Sequence, residues 1–145
     1  SEMHTFVNND IYNALPSELR NVIIDTATVS GHGATKNGEE NYTSTDKLYL
    51  LSTTEIRMQE STDTIDYDTA RDLTRTLDYY KNKGVTTSNH SGAIKNNGSS
   101  AANWWLRTAG FNWINIGFYS VKIDGDLNDS SSSSILGVSP AFRIG

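Results

Sequence analysis

Trp104-Trp105-Leu106-Arg107-Thr108 and, a little further on, Phe118-Tyr119-Ser120-Val121-Lys122-Ile123-Asp124-Gly125 are the stretches from which the fold is read. The first is a short apolar run, long enough for a strand and too short for a helix. The second alternates, with Tyr119, Val121 and Ile123 on one face and Phe118, Ser120 and Lys122 on the other. It ends in Asp-Gly, a pair that suits the tight turn between antiparallel strands. Trp104, Leu106, Tyr119, Val121 and Ile123 are therefore expected inside. Residues 135–144 supply a last extended segment, which should bury Val138 and Phe142. Pro140 has no ladder donor and marks an edge or a bulge there. The serine run 130–134 reads as a single loop.

Upstream of residue 85 the texture is different. Residues 11–24 predict a helix, with Pro16 at its first turn and Leu15, Leu19, Val22 and Ile23 on one face. Residues 26–45 are rich in Gly, Thr and Asn and read as an irregular surface loop. Residues 47–51 predict a short strand, followed at once by Ser52-Thr53-Thr54-Glu55, a capping box that starts a helix. Residues 69–82 predict another helix carrying Leu73, Leu77 and Tyr80 on one face, with Gly84 placed to end it. Helices first and strands last make an α+β domain with a mainly antiparallel sheet. The 145 residues form one domain, 1–145.

Composition excludes several functions. The chain has no cysteine, so disulfides, thiolate zinc sites and cysteine nucleophiles are out. Its net charge of -5 opposes nucleic acid, whose binding needs clustered Lys and Arg. Neither a membrane-spanning apolar run nor a signal peptide is visible, so membrane insertion is not expected. Asn-x-Ser/Thr triplets stand at Asn41, Asn89, Asn97 and Asn128.

Further motifs carry a resemblance. Leu15-Pro16-x-x-Leu19, Asp46-Lys47-Leu48-Tyr49-Leu50-Leu51-Ser52 with Glu55, and Trp104-Trp105-Leu106-Arg107 come in that order. Val121-x-x-Asp124-Gly125 and Gly137-Val138-Ser139-Pro140-Ala141-Phe142 follow. Together they resemble a bacterial, archaeal and phage domain of C-type-lectin-like fold, a group that includes the variable proteins of diversity-generating retroelements. The resemblance spans nearly the whole chain. The family usually carries Arg where this chain has Ser139, which leaves a core ion pair around that Arg in question. In the retroelement systems, a rigid scaffold displays variable side chains from its C-terminal part, through replacement of adenines in Asn-type codons. What this implies here is a variable binding region at about residues 103–134. No Glu, Gln or Met occurs after Glu60, in keeping with such codons.

Candidate sites follow. Trp104 and Trp105 are expected in the core, because aromatic side chains dominate core energetics. Trp113, in a polar stretch, is a candidate stacking platform for a sugar. Arg107 is expected to be a structural hydrogen-bond hub. Asp124, Asp126 and Asn128 open like a calcium loop, but Asp129 and Ile135 stand where glycine and an acidic ligand belong. No metal and no cofactor are therefore expected. His4, His32 and His90 are scattered, and no nucleophile and base stand together, so no catalytic residue is assigned and an enzyme is not expected. The binding surface is expected at Asn103, Phe111, Asn112, Trp113, Asn115, Phe118, Ser120, Lys122, Asp126 and Asn128, a mixture of aromatic contact area and adaptable amides and hydroxyls. The expected function is ligand recognition by a retroelement-diversified protein. Its target is a protein or glycan on a cell or virus surface, and its location is the virion or cell surface. The alternative is a non-diversified carbohydrate-binding adhesion module.

Overall fold

In the structure, a computed structural model describing residues 1–32, 40–58, 69–110 and 117–145, the chain opens as a helix that its apolar periodicity does not announce. Helix α1 (Glu2–Thr5) is capped by the Ser1 hydroxyl and runs through a π-helical stretch (Phe6–Ile11) into α2 (Tyr12–Ala14). The helix expected over residues 11–24 is corrected accordingly. A proline disfavours helical backbone in the residue before it, and Leu15 is extended, with φ -70° and ψ 149°. Only α3 (Ser17–Arg20) follows Pro16, and Ile23 then enters strand β1 (Ile23–Ile24). Of the expected stripe, Leu15, Leu19 and Ile23 do meet, in a small core with Val7 and Leu48, while Val22 is exposed.

The irregular loop expected over residues 26–45 is corrected at both ends. Strands β2 (Thr26–Ser30) and β3 (Tyr42–Asp46) pair antiparallel, with Thr28 opposite Ser44. β-branched Thr and Val suit a pleated backbone even when the strand carries few apolar side chains. The capping box forms as expected. The Ser52 hydroxyl accepts from the Glu55 amide, and the Glu55 carboxylate accepts from the Ser52 amide at 2.7 Å, after strand β4 (Tyr49–Leu50) and at the start of α4 (Thr53–Ile56). The helix expected over residues 69–82 breaks into a 3-10 turn (Arg71–Leu73) and α5 (Asp78–Asn82). Between them the hydrogen bonds leave the segment: the Thr76 hydroxyl donates to the Thr54 carbonyl and the Leu77 amide to the Glu55 carbonyl. Leu73 is exposed as a result, whereas Tyr80 is buried and Gly84 ends the helix at φ +68°.

The second half is a set of small antiparallel sheets. Strands β5 (Lys95–Asn97) and β6 (Ser100–Ala102) form a hairpin. Strands β7 (Trp104–Ala109), β8 (Gly117–Val121) and β9 (Leu127–Ser131) form the largest sheet, three-stranded. The serines expected to be a loop thus begin as a strand. β10 (Pro140–Ala141) pairs with β4 and β11 (Arg143–Ile144) with β1, tying the end of the chain to its first half. The main core joins Trp104, Leu106, Tyr119, Val121 and Leu127 to Ile56 and Tyr80. Two expected core residues are corrected. Ile123 is exposed, because β8 ends at Val121 and Ile123 sits in the turn closed by the Gly125 amide on the Lys122 carbonyl. Phe142 is exposed too, at the break between β10 and β11.

The buried Tyr80 gives the fold an alkaline limit. Burial, then Tyr79 and Glu55, pushes its phenol from 10.0 up to about 12. The unfolded chain loses this proton first, so the contribution is complete below about 10 and is lost as pH rises towards about 12. Urea melts at stepped alkaline pH should show stability falling across that window. Tyr80→Phe should reduce the slope, with Tyr49, shifted in the same direction, retaining a share. Identical slopes in the two proteins would place the alkaline transition elsewhere.

Candidate functional site

Alternate residues of a strand point to one face, and on the β2–β3 hairpin one face carries oxygen at every position. Thr28, Ser30, Tyr42, Ser44 and Asp46 line a groove of about 930 Å³, whereas Ala27, Val29, Thr43 and Thr45 between them do not. Met3, His4 and Phe6 of the N-terminal helical run line it as well, with Tyr49 of β4, Trp105 and Arg107 of β7 and Phe118 of β8. The volume is that of a small-ligand site. Tyr42, Phe6 and Phe118 stand 66%, 43% and 38% exposed around it, an unusual concentration of accessible aromatic surface.

Specific contacts hold these elements together. His4 Nε2 lies 2.7 Å from Asp46 Oδ1, joining α1 to β3. The Asn8 side chain copies a strand partner: its Nδ2 donates to the Leu48 carbonyl at 3.1 Å and its Oδ1 accepts from the Leu48 amide at 3.2 Å. Arg107 binds three segments at once. Its Nη1 donates to the Glu55 carboxylate and, at 2.8 Å, to the Leu50 carbonyl, and its Nη2 donates to the Val29 carbonyl at 3.2 Å. Its expected role as a hub agrees with this geometry. A core ion pair thus exists without an arginine at position 139. Burial first, then Glu55, raises the Tyr49 phenol above its ordinary value.

A family model matches the chain over residues 1–145. The chain belongs to DUF6273, a domain of unknown function. Comparison with curated proteins and with solved structures found no match. In this DUF6273 domain the residues expected at the binding surface divide into three groups. Phe118 and Asn128 are exposed, Lys122 is half-buried with its ammonium 3.7 Å from Asp124, and Asn103 is half-buried in a separate, smaller cleft with Trp104 and Ser139. Phe111, Asn112, Trp113 and Asn115 lie outside the described residues.

The third group is positioned differently from expectation. Ser120, expected to face outward, is 1% exposed. Its strand lies between β7 and β9, opposite Trp105 on one side and Asn128 on the other, and its hydroxyl donates to the Asn128 carbonyl and meets the Ser130 hydroxyl at 2.8 Å. Asp126, expected in a solvated acidic loop, accepts from Arg57 Nη1 at 3.0 Å and from the Leu127 amide at 2.8 Å. Arg57 is itself buried, so this carboxylate balances an interior charge. Asp124 accepts from the Asp126 amide, which holds its carboxyl below the ordinary value and closes the turn. Trp104 and Trp105 are both buried, which leaves little of either ring as a stacking face. Reading the sequence of this DUF6273 domain missed His4, Phe6, Tyr42, Ser44, Asp46 and Tyr49. Part of the signal was present, as hydroxyl or carboxylate side chains at every second position of two short stretches.

Proposed function

We propose that this DUF6273 domain is a ligand-recognition module of C-type-lectin-like fold, without catalytic activity of its own. In this reading it binds a protein or glycan on a cell or virus surface through the face around Phe118 and the adjoining groove. The observation that carries the proposal is Phe118 itself, exposed on a strand whose neighbours Tyr119 and Val121 are buried, and lining the groove with Trp105. An exposed phenylalanine at a concave site adds little to folding and offers apolar contact to a partner. The ordered motifs from Leu15 to Phe142 support the finer reading, a scaffold whose residues 103–134 are diversified by a retroelement. A reverse transcriptase gene beside a near-copy of that coding segment, differing at adenines, is the observation that this part requires.

Phe118→Ala is the test of the face. Binding to a panel of bacterial and host cell surfaces should fall at least about tenfold, as for an aromatic anchor at an interface, while stability changes by about 1 kcal/mol or less. Val121→Ala, which opens a cavity in the core, should do the reverse and cost about 1–3 kcal/mol with binding kept under native conditions. Full binding by the Phe118 variant would move the site to another face.

A further inference from the structure

We infer that the groove between the β2–β3 hairpin and the Phe118 strand takes a neutral, hydroxyl-bearing ring, such as one hexopyranose unit of an oligosaccharide. The inference rests on the recognition reading and adds to it the chemistry of the ligand and a second half of the site. Three observations meet here. The hairpin wall bears the hydroxyls of Thr28, Ser30, Tyr42 and Ser44, spaced by strand alternation and cross-strand pairing. The Thr28 and Ser44 hydroxyls meet at 3.2 Å, and because a hydroxyl both donates and accepts, the row keeps further capacity for a ligand whose own hydroxyls do both.

Aromatic rings supply the second half. Trp105 backs the groove but is only 6% exposed, and Phe118 and Tyr42 are the accessible rings. They offer flat apolar surface to the C–H face of a saturated ring, while the hydroxyl wall meets its polar edge. Charge selects within this class. Glu2 and Asp46 line the groove, and its guanidinium, Arg107, is engaged by Glu55. Asp46 is engaged by His4, so an anionic ligand would meet the Glu2 carboxylate and no free guanidinium among the described lining residues, whereas a neutral one would meet no such penalty.

The experiment is an array of neutral and acidic oligosaccharides probed with the wild-type chain and with Tyr42→Ala, Ser44→Ala and Phe118→Ala. Tyr42 is well exposed and Ser44 half-buried, so these changes should leave the melting temperature close to wild type. Neutral hexose-containing glycans should be retained, with sialylated and uronic acid glycans unbound. Each of the three variants should weaken retention about tenfold, the effect of losing one hydrogen bond or one stacking face. If neutral glycans bind and only Phe118→Ala matters, the hairpin is not part of the site, though the recognition face stands. If acidic glycans are preferred, or cells are bound while no glycan is, the ligand class is wrong and the recognition reading survives. Binding to neither glycans nor cells overturns both.

Discussion

Glu55→Ala should be among the most destabilising single substitutions in this domain, lowering stability by about 3–5 kcal/mol, the range for breaking a buried ion pair from one side. Glu55 completes the capping box through the Ser52 amide and neutralises Arg107 with the same carboxylate oxygen. Removing it leaves a nearly buried guanidinium that still donates to the Leu50 and Val29 carbonyls but has no counter-charge. Glu55→Gln keeps the shape and some of the hydrogen bonding, and should lose less. Replacing Arg107 with Met in the Glu55→Ala background should recover part of the loss, because the uncompensated charge then disappears. Urea melts of the three variants give the answer. A loss below about 1 kcal/mol for Glu55→Ala would mean that water reaches the pair and screens it as it does a surface ion pair.

Trp104→Ala should cost a similar amount, about 3–5 kcal/mol. The ring is 2% exposed, its Nε1 donates to the Ala93 carbonyl at 3.2 Å, and the Lys95 ammonium lies 4.9 Å from its centroid. Alanine removes the packing of the main core and leaves the Ala93 carbonyl without its donor. Trp104→Phe retains much of the apolar volume but not the indole N–H, and should lose less. Thermal and urea melts should rank wild type, Phe and Ala in that order. A Trp104→Ala protein of near wild-type stability would require the residue to sit outside the core.

Local signals were read well where the physics is local. The capping box needs only Ser52 and Glu55, three positions apart, and it forms as expected. Gly84 and Gly125 stand at φ +68° and +90°, where a side chain would be strained, and both mark the turns they were expected to mark. The alternation of Tyr119 and Val121 is visible because one face of β8 meets the main core. It misled at Ser120, since alternation indicates which residues share a face and not whether the other face is covered. Ser120 is flanked across the sheet by Trp105 and Asn128, and its hydroxyl is engaged by the Asn128 carbonyl and the Ser130 hydroxyl. These last two belong to β9, whose mainly polar residues carry no hydrophobic period. The β2–β3 hairpin was missed for the same reason. Its groove face is built of hydroxyls, so no apolar alternation exposes it.

Of the candidate site, Phe118 was legible as an exposed aromatic on a strand, while the wall beside it was not. By itself the sequence determined an α+β chain, one helix start, the strands containing Trp104 and Val121 and the turns that end elements, because each depends on the preferences of neighbouring residues. Only the tertiary structure decided that Asp126 neutralises Arg57 across 69 positions, that Glu55 and Arg107 pair across 52, and that the N-terminal helical run and the β2–β3 hairpin meet Phe118 around one groove. Such partners are selected by which surfaces exclude water from one another and where a buried charge finds its counter-charge, and neither condition leaves a period along the chain.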